Sequence, residues 1–259
     1  MKAWYLNHSA VAVQTENHLL LFDLFGQTLR PQPGQGLAQG YIDPAELRGQ
    51  DVLIFISHEH EDHFEPKVFE LAQQGQRVRY ILPAELDAIY EGKSDDVFLE
   101  SGETKDCGDF RVTAFESTDI GLAYLIEIDG KLIYHAGDLN WWHWADETDA
   151  FNQDQERRYQ EQMKLLNQAA NGKEIDIAFA VADPRMDQEH RFQGLRSLME
   201  QVQVKNLIPI HLWGAFSVLG QIRGLARNEK NFEKAVYFER RGEIFLNAGF
   251  GKTGGNNHG

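Results

Sequence analysis

Asp51-Val-Leu-Ile-Phe-Ile-Ser57, followed at once by His58-Glu-His60-Glu-Asp62-His63, is the stretch whose reading decides the fold. Its first seven residues are short, rich in β-branched side chains and bounded by polar ones, the pattern of a buried strand. Phe64-Glu-Pro-Lys-Val-Phe-Glu-Leu-Ala72 then predicts a helix to about residue 74, with Pro66 near its start, where a missing N–H is tolerated. The metal-competent side chains between them therefore occupy a strand-to-helix loop. While the backbone stays extended, period-2 alternation projects His58 and His60 from one side, and the turn brings Asp62 and His63 round toward them. Neutral imidazoles with a carboxylate make a borderline-soft cation site, with zinc the first expectation, against a solvated polar loop as the bland reading.

The 259 residues, 42% of them hydrophobic, suffice for one large domain or two small ones. No break in composition marks a second unit. The Pro/Gly-rich run Arg30 to Gly40 comes too early to divide the chain and reads as a loop, so a single domain over 1–250 with a flexible tail at 251–259 is expected. Forty acidic against 25 basic residues give a net charge of −15, a field that repels polyanions and disfavours nucleic acid as a partner. Met1-Lys-Ala-Trp-Tyr-Leu-Asn-His8 lacks the apolar core of a signal peptide, and no run approaches the roughly 20 apolar residues of a membrane span. The single cysteine, Cys107, excludes an internal disulfide and fits a reducing compartment, so a cytoplasmic protein with a structural Cys107 is expected.

Trp4 to Leu6, Ala10 to Gln14 and Leu19 to Phe25 are predicted strands, the second and third joined by Thr15-Glu-Asn-His18 in an opening meander. Val78 to Leu82 is a further strand, and Pro83-Ala-Glu-Leu-Asp-Ala-Ile-Tyr90 begins a short helix. Phe110 to Phe115, Leu122 to Ile128 and Lys131 to His135 follow as strands, with Asp129-Gly130 a tight hairpin between the last two. A helix Asp154 to Ala170, with Tyr159, Met163 and Leu166 on one face, stops at Asn171-Gly172. A strand Ile175 to Ala182, a helix from about Gln193 to Gln203, a strand Asn206 to Ile210, a helix from about Ser217 to Arg227 and a hairpin Ala235 to Asn247 complete the pattern. Without a solenoid repeat, two halves of similar make-up predict an α/β fold, a layered α/β/β/α sandwich.

One loop cannot complete two metal shells, so further ligands are expected at other strand ends that reach the same edge. Asp138 follows Leu132-Ile-Tyr-His-Ala-Gly137, where the glycine lets the chain turn tightly and aim the carboxylate. His211 closes Leu207-Ile-Pro-Ile210, and Asp183 closes Ile177-Ala-Phe-Ala-Val-Ala182.

These residues together resemble the metallo-β-lactamase superfamily in its binuclear metallo-hydrolase form. The signature His-x-His-x-Asp-His is His58, His60, Asp62 and His63, the Gly-Asp motif is Gly137-Asp138, and the late strand-end histidine is His211. The resemblance implies a four-layer αβ/βα sandwich of metallo-β-lactamase type, forming one metallo-hydrolase domain. It also implies two zinc ions, with manganese or iron as substitutes. One ion would be held by His58, His60 and Asp119, the other by Asp62, His63 and His211, and Asp138 would bridge them. Asp62 and Asp138 would carry catalysis, with a metal-bound hydroxide attacking a small-molecule ester, lactone or phosphodiester. Asn7-His8-Ser9, Phe22-Asp23 and Ile208-Pro-Ile-His-Leu-Trp-Gly214 are similar to the branch related to ascorbate-6-phosphate lactonase.

The superfamily normally carries another histidine midway between the two motifs, and none occurs between His63 and His135. Asp119 falls near that position, as an oxygen ligand or as a turn residue. As a ligand it would harden the first shell enough for Mn(II) or Fe(II); otherwise the first site is weak or empty. Three tryptophans in Asn140-Trp-Trp-His-Trp144 read first as core anchors, with Trp142 and His143 the candidates for substrate contact. His8 is a candidate for the metal edge, against a structural role. Asp183 and Arg185 are candidates for a supporting hydrogen bond and an anion contact, while His190 and Arg191 read as solvated. Two other functions compete: a metal-stabilised scaffold without turnover, and a di-iron redox protein, whose motif has Glu where His60 stands.

Overall fold

The computed structural model describes residues 1–26, 31–73, 77–90 and 92–246; the expected tail at 251–259, residue 30 of the early loop and residue 247 lie outside them. In chain order the elements are β1 (Lys2–Asn7), β2 (Ala10–Gln14), β3 (His18–Phe22), β4 (Asp51–Phe55), α1 (Glu70–Gln73), β5 (Arg77–Pro83), β6 (Val97–Leu99), β7 (Thr104–Asp106), β8 (Phe110–Glu116), β9 (Leu122–Ile128), β10 (Lys131–His135), α2 (Asp149–Ala170), β11 (Ile177–Val181), α3 (Gln193–Gln201), β12 (Leu207–Ile210), α4 (Ser217–Leu225) and β13 (Gly242–Ile244).

The strands form two sheets. The first has seven strands in the order β13-β1-β2-β3-β4-β5-β6, the second six in the order β12-β11-β10-β9-β8-β7. Each is mixed: the opening meander β1-β2-β3 is antiparallel and β3 to β6 are parallel, while β10, β11 and β12 are parallel and β7 to β10 antiparallel.

Side-chain alternation sorts the layers. From the first sheet, Ala3, Tyr5, Leu20, Phe22, Leu53 and Phe55 share one core with Tyr124, Ile126, Ile133 and Phe179 of the second. Their neighbours Trp4, Leu6, Leu19, Leu21, Val52 and Ile54 pack on the other face, with Leu37, Phe64, Val68, Leu71 and Leu86. The second sheet is covered in turn by Tyr159, Met163 and Leu166 of α2, Leu195 and Leu198 of α3, and Leu219 and Ile222 of α4. The result is the expected four-layer sandwich. Asp129 and Gly130 take φ 48 and 68, as a two-residue hairpin with the right twist requires, and Asn171 closes α2 at φ 51.

Several expectations shift. The strand expected over Leu19 to Phe25 ends at Phe22, because Asp23 turns into the left-handed region at φ 43. The strand expected to Ser57 keeps its ladder only to Phe55, and the helix after the motif opens as a 3-10 turn over Pro66–Phe69 before α1. Helix α2 begins at Asp149 rather than Asp154, since Thr148 caps it by accepting a hydrogen bond from the Phe151 N–H. The three-residue strands β6 and β7 are too short to leave a periodic signal. The hairpin expected over Ala235 to Asn247 is not formed: Ala235 bridges Leu207 in the second sheet, whereas Gly242–Ile244 pairs with β1 in the first. That segment crosses between sheets instead of folding on itself. No helix among the described residues is long and apolar enough to cross a membrane.

Candidate metal centre

The ends of β3, β4, β10, β11 and β12, with the β1–β2 turn, meet at one rim and bring imidazoles and carboxylates from distant segments together. His8, Asp62, His63 and His211 form one group, and His58, His60 and Asp138 another, each with one donor atom per residue within 4.8 Å of the rest. Asp138 spans the two. Its Oδ1 lies 3.1 Å from His63 Nε2 and 3.2 Å from His211 Nε2, while its Oδ2 lies 3.6 Å from His58 Nε2. Asp62 Oδ2 stands 3.3 Å from His8 Nε2 and 3.9 Å from both His63 Nε2 and His211 Nε2.

The rings face this rim because their other nitrogens are held from behind. His63 Nδ1 is 2.8 Å from Asp23 Oδ2, and His211 Nδ1 is 2.8 Å from Asp183 Oδ2. A carboxylate only accepts, so in both cases Nδ1 carries a proton and Nε2 is the nitrogen turned to the rim, available to a cation once its own proton leaves. Ser57 donates its hydroxyl to Asp23 at 2.8 Å and its N–H to the same carboxylate at 2.7 Å. Its Oγ, 2.9 Å from His58 Nδ1, must then accept the imidazole proton, which frees His58 Nε2 as well.

Nε2 of His8, His58, His63 and His211, and Oδ1 of Asp138, are buried and crowd one another without a well-aligned hydrogen bond. Buried polar atoms left poorly paired are costly, and a cation at the rim would satisfy them together. Imidazole nitrogens with carboxylate oxygens suit zinc and its first-row neighbours, so the residues fit a metal centre.

Charge follows the same geometry. Burial alone would raise the Asp138 carboxyl, but His63 and His211 outweigh it and hold the group well below the carboxylate range. His63 is desolvated yet raised well above an ordinary histidine by Asp138 and Asp23, and His211 is raised, against burial, by Asp138 and Asp183. His58 is pushed down to about 4 by burial and by His63, and His8 to about 4 by burial. Asp183, which burial would raise, is lowered to about 2 by hydrogen bonds from His211 and Arg185.

Two glycines let the second sheet's loops close on this loop. A Cβ at Gly137 (φ 52) would stand 2.7 Å from Ser57 Cβ, and one at Gly121 (φ 78) would stand 2.2 Å from Ser57 O. His8 (φ 50) and His211 (φ 64) hold the left-handed backbone that side chains avoid, and the His211 N–H donates to His8 O at 3.1 Å.

Of the residues expected from sequence, His58, His60, Asp62, His63, Asp138 and His211 are brought together, and His8 joins them within the ligand group. Asp119 stands outside both groups. It is exposed, in the turn where its N–H donates to Ser117 Oγ, and its carboxyl is raised by partial desolvation and by Asp138. Trp142 is buried, donates its indole N–H to Asp138 O at 3.1 Å, and sets its ring 5.8 Å from that of His211. His143 pairs with His190 rather than with the centre. Arg185 binds Asp183, the residue behind His211, and lies 4.8 Å over the Trp213 ring and 5.8 Å over that of Trp144. Arg191, expected to be solvated, is buried and donates to Met186 O and Pro184 O, because a sharp turn leaves those carbonyls without helical partners. His135 belongs to the core: it stacks on Phe22 at 4.8 Å and bonds Ser9 O.

Asp23 and Ser57 were not among the expected site residues. A polar residue directly after an all-apolar strand singled out Asp183 and His211, and the same signal at Phe22-Asp23 could have found Asp23.

A four-layer sandwich with this rim is the metallo-β-lactamase fold. The chain is similar to Igni18, a metallo hydrolase from the archaeon Ignicoccus hospitalis, with a TM-score of 0.63 over 94% of this chain and 97% of that one at 16% identity. It is also similar to the metallo-β-lactamase fold protein YhfI from Bacillus subtilis, with a TM-score of 0.51 over 82% and 85% at 15% identity. Among curated proteins, a UPF0173 metal-dependent hydrolase of Bacillus velezensis is 26% identical over 239 residues, 85% of this chain and 89% of that protein. No protein-family model matches the chain.

Proposed function

We propose that this chain is a binuclear metal-dependent hydrolase, cytoplasmic, acting on a small anionic ester, lactone or phosphodiester. The observation that carries the reading is the placement of Asp138, whose two oxygens address the two histidine groups separately. His58, His60 and Asp138 would hold one cation, with Asp119 beside them as the candidate for a further oxygen ligand. Asp62, His63, His211 and Asp138 would hold the other. Zinc is the first choice, with manganese or iron accepted. Divalent cations bound there would supply acidified water near neutral pH and stabilise developing negative charge.

The chain's own residues do the rest. Asp138 would offset the charge of both cations, and His8, 3.3 Å from Asp62, keeps that carboxylate turned toward the rim. Arg185, its side chain 51% exposed and braced by Asp183 and two tryptophans, offers a guanidinium for an anionic substrate group. The net charge of −15 supports a small molecule over a polyanion, and the likeness of His8 and the His211 segment to the lactonase-related branch agrees.

The test is elemental analysis of purified protein, followed by hydrolysis of lactones, thioesters and bis-p-nitrophenyl phosphate with and without chelator. About two equivalents per chain and chelator-sensitive turnover are expected. One equivalent or none, with no turnover, would favour the scaffold. Asp138→Ala should lose both metal and activity; full retention of either removes the bridging role.

A further inference from the structure

Beyond the rim, a second cluster joins the segments that carry Asp138 and Asp183. His143 and His190 stack with ring centroids 3.5 Å apart and planes 8° from parallel. Two neutral imidazoles face to face align like charge distributions, an arrangement that aromatic rings avoid in favour of offset or edge contacts. Something else must hold them.

Asp187 supplies part of the answer. Its Oδ1 accepts the N–H groups of Glu189 and His190 at 2.9 and 3.0 Å and lies 2.9 Å from His190 Nδ1, so the carboxylate is fixed between loop and ring. Its other oxygen is also 2.9 Å from His190 Nδ1 and faces His143 Nδ1 at 3.9 Å, too far for a hydrogen bond. That His143 nitrogen is buried and has no partner. One donor atom from each of the three residues lies within 4.8 Å of the others. A cavity of about 230 Å³ opens beside the two histidines, and Asp149 and Glu156 add carboxylates to its wall.

We propose that His143, Asp187 and His190 form a separate site for a divalent borderline cation such as zinc. Two donors at zinc-ligand distances lie roughly 3.3 Å apart around a tetrahedral ion, so the 3.9 Å gap closes by small side-chain rotations. An ion there gives His143 Nδ1 a partner once the two rings turn out of their parallel stack, so that both in-plane lone pairs point at it. Being partly exposed, with three protein ligands, the site binds more weakly than the rim. Its effect is to tie the segment after Asp138 to the loop after Asp183, so that its occupancy stiffens both walls of the centre. It shares no ligand with the rim and does not rest on the hydrolase reading.

Equilibrium dialysis of chelator-stripped protein against zinc, with elemental analysis, tests it. Wild type should bind one equivalent more than His143→Ala/His190→Ala, and Asp187→Asn should weaken that last equivalent at least tenfold while circular dichroism stays unchanged. The difference should survive in Asp138→Ala, which separates failure of the rim from failure of this site. Equal zinc content and affinity in wild type and both variants would overturn the proposal.

Discussion

Asp23 shows how much of the centre depends on side chains that need touch no metal. Buried at the end of β3, it fixes His63 directly and, through Ser57, fixes His58. Asp23→Asn keeps the shape but presents an amide where His63 needs an acceptor, so the ring loses its preferred tautomer. Metal affinity should fall about 10- to 100-fold, the usual range for a supporting partner of this kind. Competition with a chromogenic chelator measures it, and unchanged affinity would show that Ser57 alone orients the rings. The ligand loop was legible because its donors are adjacent in the chain. Asp23 is marked only as a polar residue after an apolar strand; its role behind His63 was not legible, because that rests on a contact across 40 residues of sequence.

At the scale of elements, the rim depends on how tightly the loops before β9 and after β10 press on the end of β4. Gly121 has Ser57 O where a side chain would begin, and that oxygen is backbone and cannot swing aside. Gly121→Ala should therefore cost at least about 2 kcal/mol from overpacking and left-handed strain together. Gly130→Ala is the control: it shares the left-handed backbone (φ 68) but meets nothing within 4 Å. Urea midpoints of the two variants should differ, with Gly121→Ala lower, and its metal affinity should fall as well because Ser57 shifts. Equal midpoints would mean the loops are looser than this packing implies. Sequence placed most of these elements, since their burial leaves a periodic pattern. It misplaced the C-terminal hairpin, because Ala235 and Gly242–Ile244 find their partners in different sheets.

For the whole molecule, binding cations is coupled to protons. In the cation-free protein His63 and His211 titrate above the ordinary histidine range, held up by Asp138 with Asp23 and Asp183. Ligation requires a neutral Nε2, so metal uptake must expel protons, and affinity should rise with pH until both rings are neutral. Zinc titration by calorimetry in two buffers of different ionisation heat should show net proton release near pH 7. Uptake without release would mean these rings are already neutral. The ligands come from both sheets, so saturation at a thousandfold over Kd should stabilise the whole sandwich by about 4 kcal/mol.

The chain alone determined the strand-to-helix loop, the metal-competent quartet on it and the layered α/β architecture, because short-range spacing and burial patterns are properties of neighbouring residues. It also marked Asp138, Asp183 and His211, each being polar directly after a buried strand. Only the tertiary structure decided that Asp138 lies between two histidine groups, that Asp23 and Asp183 stand behind the rings, that Asp119 sits outside the ligand groups and that His143 faces His190. Those are distances between segments brought together by folding, and no local pattern encodes them.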